Sequence, residues 1–143
     1  MGTRDNKEIV RRYYEEIVNT GSVDRIDEFI SPDYVEVHEG IRHATGIGGA
    51  KEHVLGVRRT SPDLNLKIEQ QIAEGEWVVS RVLMQGTQEG EWMGIQPTGQ
   101  AVTIRAVNID RIVEDRIIEH GGAANILEPL SRIGAIQIVE KEL

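Results

Sequence analysis

The chain contains no cysteine, so it can form no disulfide and offers no thiolate as a nucleophile or metal ligand. Residues 1–7 also lack the apolar core of a signal peptide, and together these absences predict a cytoplasmic protein. No apolar run approaches the ~20 residues that a membrane span needs. We therefore expect no association with a membrane.

Basic residues are in the minority: 16 Lys and Arg stand against 24 Asp and Glu, giving a net charge of −8. Nucleic-acid phosphates repel such a chain unless its basic residues cluster, and the best clusters are the pairs Arg11/Arg12 and Arg58/Arg59. We expect no nucleic-acid binding. The length of 143 residues and a hydrophobic content of 39% predict one globular domain over residues 1–143.

The first third of the chain has a helical pattern. Ile9, Tyr13 and Ile17 recur every four residues, which predicts a helix over residues 6–20 with one apolar face. Gly21 ends this helix, and a short second helix follows and stops before Pro32. Apolar residues at helical spacing predict a third helix over residues 47–60.

The rest of the chain alternates as an antiparallel sheet does, with strands over 64–72, 77–88, 101–113 and 116–123 and a short helix near Asn125. The second and third of these strands are apolar on both faces, so both faces of the sheet must be covered. The helices cover one face. We expect a second copy of the chain to cover the other, giving a sheet-to-sheet homodimer, with a tail of residues 135–143 as the alternative cover.

Short motifs are spread along nearly the whole chain. They are Tyr14 with Asn19-Thr20-Gly21, Ser31-Pro32-Asp33-Tyr34 with His38, Ser61-Pro62-Asp63-Leu64, the block Gly86-Thr87…Gly90…Gly94-Ile95-Gln96-Pro97-Thr98-Gly99, Arg111, and Ile117-Ile118-Glu119-His120. In these motifs the chain resembles the SnoaL-like polyketide cyclases of the nuclear transport factor 2-like superfamily. The resemblance implies an α+β cone, with N-terminal helices packed on a curled antiparallel sheet and a short C-terminal helix.

The resemblance also implies a function. Such proteins bind a small apolar polycyclic substrate inside the cone, and the cyclases close a ring by an intramolecular aldol reaction without cofactor or metal. A carboxylate near the end of the last strand moves the proton. Candidate substrate-binding residues are His38 at the cavity mouth, Tyr14 and Tyr34 inside it, Gln88 after the Gly-Thr pair, Trp92 and Met93 on the bordering loop, and Asn125 after the last strand.

The chain departs from the family pattern at its catalytic acid. Members read Glu-His-Trp followed closely by an acid, whereas this chain has Gly121 at the Trp position and Gly122 and Asn125 at the acid positions. An amide cannot take up a proton near neutral pH. The departure favours the branch that hydroxylates anthracycline-type polyketides. Aldol cyclisation and a catalytically silent binding protein remain the alternatives.

Three residues are candidates for catalysis. His120 titrates in the useful range, and Asn108 interrupts an apolar strand. Asp110 shares the face of Asn108 and is the one acid that can replace the lost base; the alternative is a pairing with Arg111 or Arg116. A water-adding or isomerising enzyme of the same superfold would also use a buried carboxylate of this kind.

Two further patterns have structural interpretations. Asn125 with Glu128 is a typical helix start, in which both side chains bond free amide groups, so capping competes with substrate binding at Asn125. His38, His43 and His53 fit no compact metal-ligand spacing. We expect no metal and no cofactor.

Overall fold

A computed structural model describes residues 2–139 of the chain. Its elements in order are α1 (Thr3–Tyr13), a π-helical turn (Tyr14–Val18), a 3₁₀ helix (Val23–Glu28), β1 (Ile30–His38), β2 (Ile41–Ala44), α2 (Gly46–Thr60), β3 (Asn65–Glu74), β4 (Trp77–Thr87), β5 (Ala101–Val113), β6 (Arg116–Asn125) and α3 (Leu127–Arg132). The predicted α+β class is confirmed. No helix within residues 2–139 is long and apolar enough to cross a membrane.

The six strands form one sheet in the order β2-β1-β6-β5-β4-β3. All neighbouring strands are antiparallel except β1 and β6, which are parallel. The prediction of a wholly antiparallel sheet after three helices is therefore wrong at β1 and β2, which lie between the second and third helices. The second helix ends at Glu28, before Pro32 as predicted. Pro32 itself lies in β1, between the paired residues Ile30 and Val35, where the register is irregular and its missing N–H is tolerated.

The helices pack on the inner face of the sheet and form the core with it. Val10 and Ile17 are fully buried, as the four-residue period predicts, and they pack with Val78, Val82 and Ile117 of the sheet. The predicted single helix over residues 6–20 changes character at Tyr14, where the Asn19 N–H donates to the Tyr14 carbonyl five residues back. Such π-helical turns are common at functional sites, and this one aims Tyr14 into the space beneath the sheet.

The outer face of the sheet is uncovered in the described chain. Ile72, Trp77, Val107 and Ile109 expose 40–60% of their surface there. Arg105 lies on the same face, where its guanidinium is 3.6 Å from Glu69. Residues 135–139 leave the four apolar side chains exposed, and the rest of the alternative covering tail lies outside the described residues.

Candidate functional site

A cavity of about 260 Å³ lies between the inner face of the sheet and the helices. Most of its wall is apolar, and Gly121 and Gly122 together with the alanines that follow them leave the β6 side open. Its polar side chains are Tyr13, Tyr14, Tyr34, His38, His53, Asn108 and His120. An apolar cavity with a few convergent polar groups is the usual form of a small-molecule site.

Strand pairing brings the three predicted catalytic residues together. Asn108 and Asp110 are two residues apart on β5, so both side chains point to the inner face. The register of β5 with β6 then sets Asp110 opposite His120. The alternation in the sequence is what positions these groups.

Asp110 is completely buried, and both of its carboxylate oxygens have partners. The Tyr14 hydroxyl donates to Oδ2 at 2.6 Å, and Nδ1 of His120 lies 2.6 Å from Oδ1. The Asn108 amide in turn donates to the Tyr14 oxygen at 3.2 Å. His120 lines the cavity, whereas Asp110 lies behind it and does not reach the cavity directly.

The alternative pairing of Asp110 with an arginine is wrong. Arg111 points to the outer side of the sheet, where its guanidinium is 2.8 Å from Glu76. Arg116 donates to the backbone carbonyl of Asp27 at 2.9 Å. The negative charge of Asp110 is therefore left to orient His120 and Tyr14.

The buried network also fixes the protonation of its members. Burial, and next the charge of Asp110, raise the pKa of Tyr14 well above 10, so its hydroxyl remains a donor. Burial by itself lowers the pKa of His120, but the charge and hydrogen bond of Asp110, with a smaller contribution from Glu36, raise it above its ordinary value of 6.5. The imidazole of His120 is a stronger base than a free one.

A second buried carboxylate, Glu36 of β1, binds two of the histidines that line the same cavity. Its Oε1 lies 2.9 Å from Nδ1 of His53, and its Oε2 lies 3.1 Å from Nε2 of His38. Burial alone would raise the pKa of Glu36, but His53 and next His38 outweigh it and lower that pKa to about 2. Glu36 is therefore ionised at neutral pH. The rings of His53 and His120 meet edge to face, 6.2 Å apart between centroids.

Glu36 and His53 were missed in the sequence. The signal for Glu36 is the alternation of Tyr34, Glu36 and His38, which places all three on the inner face of β1. His53 lines the cavity together with its α2 neighbours Val54 and Val57, at helical spacing. From the sequence, His53 is considered only as a metal ligand, and that spacing is not used.

The structure places the predicted substrate-binding residues in two groups. His38, Tyr14 and Tyr34 line the cavity. Gln88 is fully buried outside it: its amide donates to the carbonyls of residues 95 and 96 and accepts a hydrogen bond from Thr98 at 2.6 Å. Gln88 thus holds the Gly/Pro-rich loop in shape.

Trp92, Met93 and Asn125 also lie outside the cavity wall. Trp92 closes a tight turn with Ile95, and Met93 stands exposed at its tip. Asn125 ends β6 opposite Arg105, and Ile126 precedes α3, so the predicted helix cap by Asn125 is wrong. Within residues 2–139, no group of three or more acids and histidines is arranged to hold a metal ion.

Comparison with known proteins places this architecture in a family. Residues 8–132 match the family described as SnoaL-like polyketide cyclase. The chain is 31% identical over 120 residues to nogalonic acid methyl ester cyclase of Streptomyces nogalater, covering 81% of this chain and 88% of that protein. It is 29% identical over 115 residues to the aklanonic acid methyl ester cyclase AcmA of Streptomyces galilaeus, covering 78% of each.

Among solved structures, the chain is similar to AclR of Streptomyces galilaeus, described as a candidate hydroxylase. The two share 28% identity with a TM-score of 0.85, over 98% of this chain and 87% of AclR. The fold and the match over residues 8–132 point to the same family. The chain belongs to the SnoaL-like polyketide cyclase family.

Proposed function

We propose that the protein is an enzyme that closes a ring in a polycyclic polyketide methyl ester by intramolecular aldol addition. The observation that carries the proposal is the pairing of buried Asp110 with His120 at the wall of an apolar cavity. This pair supplies the base that the sequence lacks at the end of β6. The similarity to two methyl ester cyclases supports the same class of substrate.

His120 is the proposed base. Because its Nδ1 is engaged with Asp110, Nε2 is the nitrogen left to take a proton from the carbon next to a ketone. The carboxylate then stabilises the imidazolium that forms, as in other carboxylate–imidazole pairs. The raised pKa of His120 strengthens it as a base and restricts its action to pH values at which the ring is neutral.

Asn108 is the proposed donor to the enolate oxygen. One hydrogen of its amide is directed to Tyr14, and the other is left for a ligand in the cavity. A fixed donor in an apolar surrounding stabilises a developing oxyanion more than water does. Tyr14 holds Asn108 and Asp110 in register, which links the base and the oxyanion donor in one network.

Hydroxylation is the second candidate, and the similarity to AclR favours it. A base that deprotonates a ketone also deprotonates an electron-rich phenol, so His120 serves either reaction. The sequence favoured hydroxylation because a catalytic acid was missing, and the Asp110–His120 pair removes that reason. A silent binding protein explains less, because a buried carboxylate is costly to keep where no chemistry uses it.

Product analysis tests the proposal. The purified protein is incubated with polyketide methyl esters that carry an enolisable ketone side chain, and products are followed by liquid chromatography and mass spectrometry. We expect a new ring at unchanged mass. A gain of one oxygen that disappears under nitrogen would show that the protein is a hydroxylase instead. Tight binding without turnover would contradict the proposal that the protein is an enzyme.

We further propose that two copies of the chain pair through the outer sheet face, because four apolar side chains are exposed there. Sedimentation should give about twice the 16.0 kDa chain mass. The double variant Val107→Lys/Ile109→Lys should sediment as a monomer, since lysines on this face cannot be buried without partners. Ile41→Lys, at an exposed site on β2, is the control. A monomeric unmodified chain at micromolar concentration would contradict the proposal.

A further inference from the structure

The cavity is bordered by two carboxylate–imidazole pairs rather than one. Asp110 with His120 comes from β5 and β6, and Glu36 with His53 comes from β1 and α2. In each pair a buried carboxylate binds Nδ1 and leaves Nε2 as the free ring nitrogen. The aldol reaction proposed above needs two proton transfers, one from carbon and one to oxygen, and one imidazole cannot perform both at once.

We propose that Glu36 and His53 form a second acid/base pair, which donates a proton to the carbonyl oxygen that the enolate carbon attacks. The inference rests on the proposed aldol function and assigns the residues for its second proton transfer, the one to the carbonyl oxygen. His53 is the proton donor in contact with the substrate, and Glu36 is a positioning residue that holds the ring through its Nδ1.

The step balances in atoms and charge. His120 removes the α-proton, and the C–H electrons form the enolate. The enolate carbon attacks the second carbonyl: a C–C bond forms, the C=O π bond breaks, and its oxygen takes the proton from His53. One proton has entered the protein at His120 and one has left at His53. Solvent restores both, aided by His38, which binds the other oxygen of Glu36 and is the more exposed ring.

The geometry argues for chemistry rather than support alone. Glu36 is 7% exposed, and its hydrogen-bonding partners are the two imidazoles and, more distantly, the Tyr34 hydroxyl at 3.4 Å. Both imidazoles line the cavity. The ionised carboxylate therefore holds both rings from beneath the wall of an apolar cavity. A purely structural hydrogen bond would not require a charged group here.

The titratable groups around His120 come from several elements. They are Tyr13 and Tyr14 from the first helix, Tyr34, Glu36 and His38 from β1, His53 from α2, and Asp110 from β5. Glu36 is one of the charges that raise the pKa of His120. Changing Glu36 therefore alters both halves of the reaction, in ways that separate measurements can resolve.

The test compares ring closure with a partial reaction, the exchange of the substrate α-hydrogen for deuterium in heavy water. Exchange needs the base and the enolate donor but not the attacked carbonyl. In His53→Gln and Glu36→Gln we expect kcat for ring closure to fall about 100-fold, with exchange retained. His53 is partly exposed, so His53→Gln tests the proposal even where Glu36→Gln folds poorly. Glu52→Gln and His43→Gln, both exposed, are the matched controls.

The pH dependence of exchange gives a second readout. His120 accepts a proton only when neutral, so exchange is lost as pH falls through the pKa of His120. Because Glu36 raises that pKa, Glu36→Gln lowers it, and the acid limb of the exchange profile should move to lower pH. A loosened fold would reduce the rate without moving this limb.

The outcomes separate the two proposals. If the unmodified chain neither exchanges the α-hydrogen nor closes the ring, the proposed aldol function fails. If Asp110→Asn abolishes both while the Glu36 and His53 variants close the ring like their controls, the second pair is overturned and the function stands. Equal loss of exchange and closure in His53→Gln would also overturn the assignment, because it would place His53 in the first step.

Discussion

Replacing Asp110 with asparagine should reduce kcat for ring closure by about 10³-fold while leaving the chain folded. An asparagine fills the same space between Tyr14 and His120, but it carries no charge to stabilise the imidazolium. Its NH₂ group can also donate to Nδ1 of His120. The proton of the ring then moves to Nε2, which can no longer accept one from the substrate.

The measurement is single-turnover ring closure, with circular dichroism to verify the fold. Asp24→Asn, an exposed acid in the 3₁₀ helix, is the matched control and should react at the unmodified rate. An Asp110→Asn variant with undiminished turnover would show that His120 needs no carboxylate, and it would remove Asp110 from the mechanism. A variant that loses substrate binding but not kcat would assign Asp110 to shaping the cavity.

The fold was predictable where burial alone sets the pattern. Ile17 and the inward-facing residues of β5 recur at the period of a helix or a strand because they face the core. In β1 the inner face instead carries the polar residues Tyr34, Glu36 and His38, which break the apolar alternation. Tyr34 and His38 line the cavity, and Glu36 binds two of the histidines in its wall. The strand was missed because its inward side serves the site rather than the core, as is expected where function departs from the folding pattern.

The candidate site was predictable to the same extent. The alternation of β5 alone predicts that Asn108 and Asp110 share one face. Nothing in the sequence could pair Asp110 with Tyr14, which is 96 residues away and arrives only when the first helix packs on the sheet. Gln88 shows the converse. Its motif position suggests a ligand contact, but its amide NH₂ and its amide oxygen are both hydrogen-bonded to the following loop.

The missing acid of β6 has a steric reason. Gly122 lies opposite Asn108 in the ladder, with φ of +153°, a region that side chains avoid. A Cβ at this position would overlap with the carbonyl oxygen of Val107 and lie 3.0 Å from the Cα of Asn108. With β6 this close to β5, position 122 cannot carry any side chain. The acid that we propose for this chain stands on β5 instead, as Asp110.

Gly122→Asp, which introduces an acid at a position where the resemblance to the family implies one, should therefore fail in both stability and activity. We expect the free energy of unfolding to fall by about 2–4 kcal/mol, from backbone strain together with the clash against β5. Ring closure should fall as well, because relief of the clash moves Asn108 away from Tyr14 and separates His120 from Asp110. Urea unfolding and the ring-closure assay measure the two effects.

Gly48→Asp is the matched control for this change. Gly48 lies in the first turn of α2, where an added Cβ meets nothing within 4 Å and an acid interacts favourably with the helix dipole. Its stability should be unchanged or slightly raised. If Gly122→Asp instead folds as stably as the unmodified chain and closes rings faster, the strands can separate to admit the family acid. An acid at position 122 could then take over the role that we propose for Asp110 and His120.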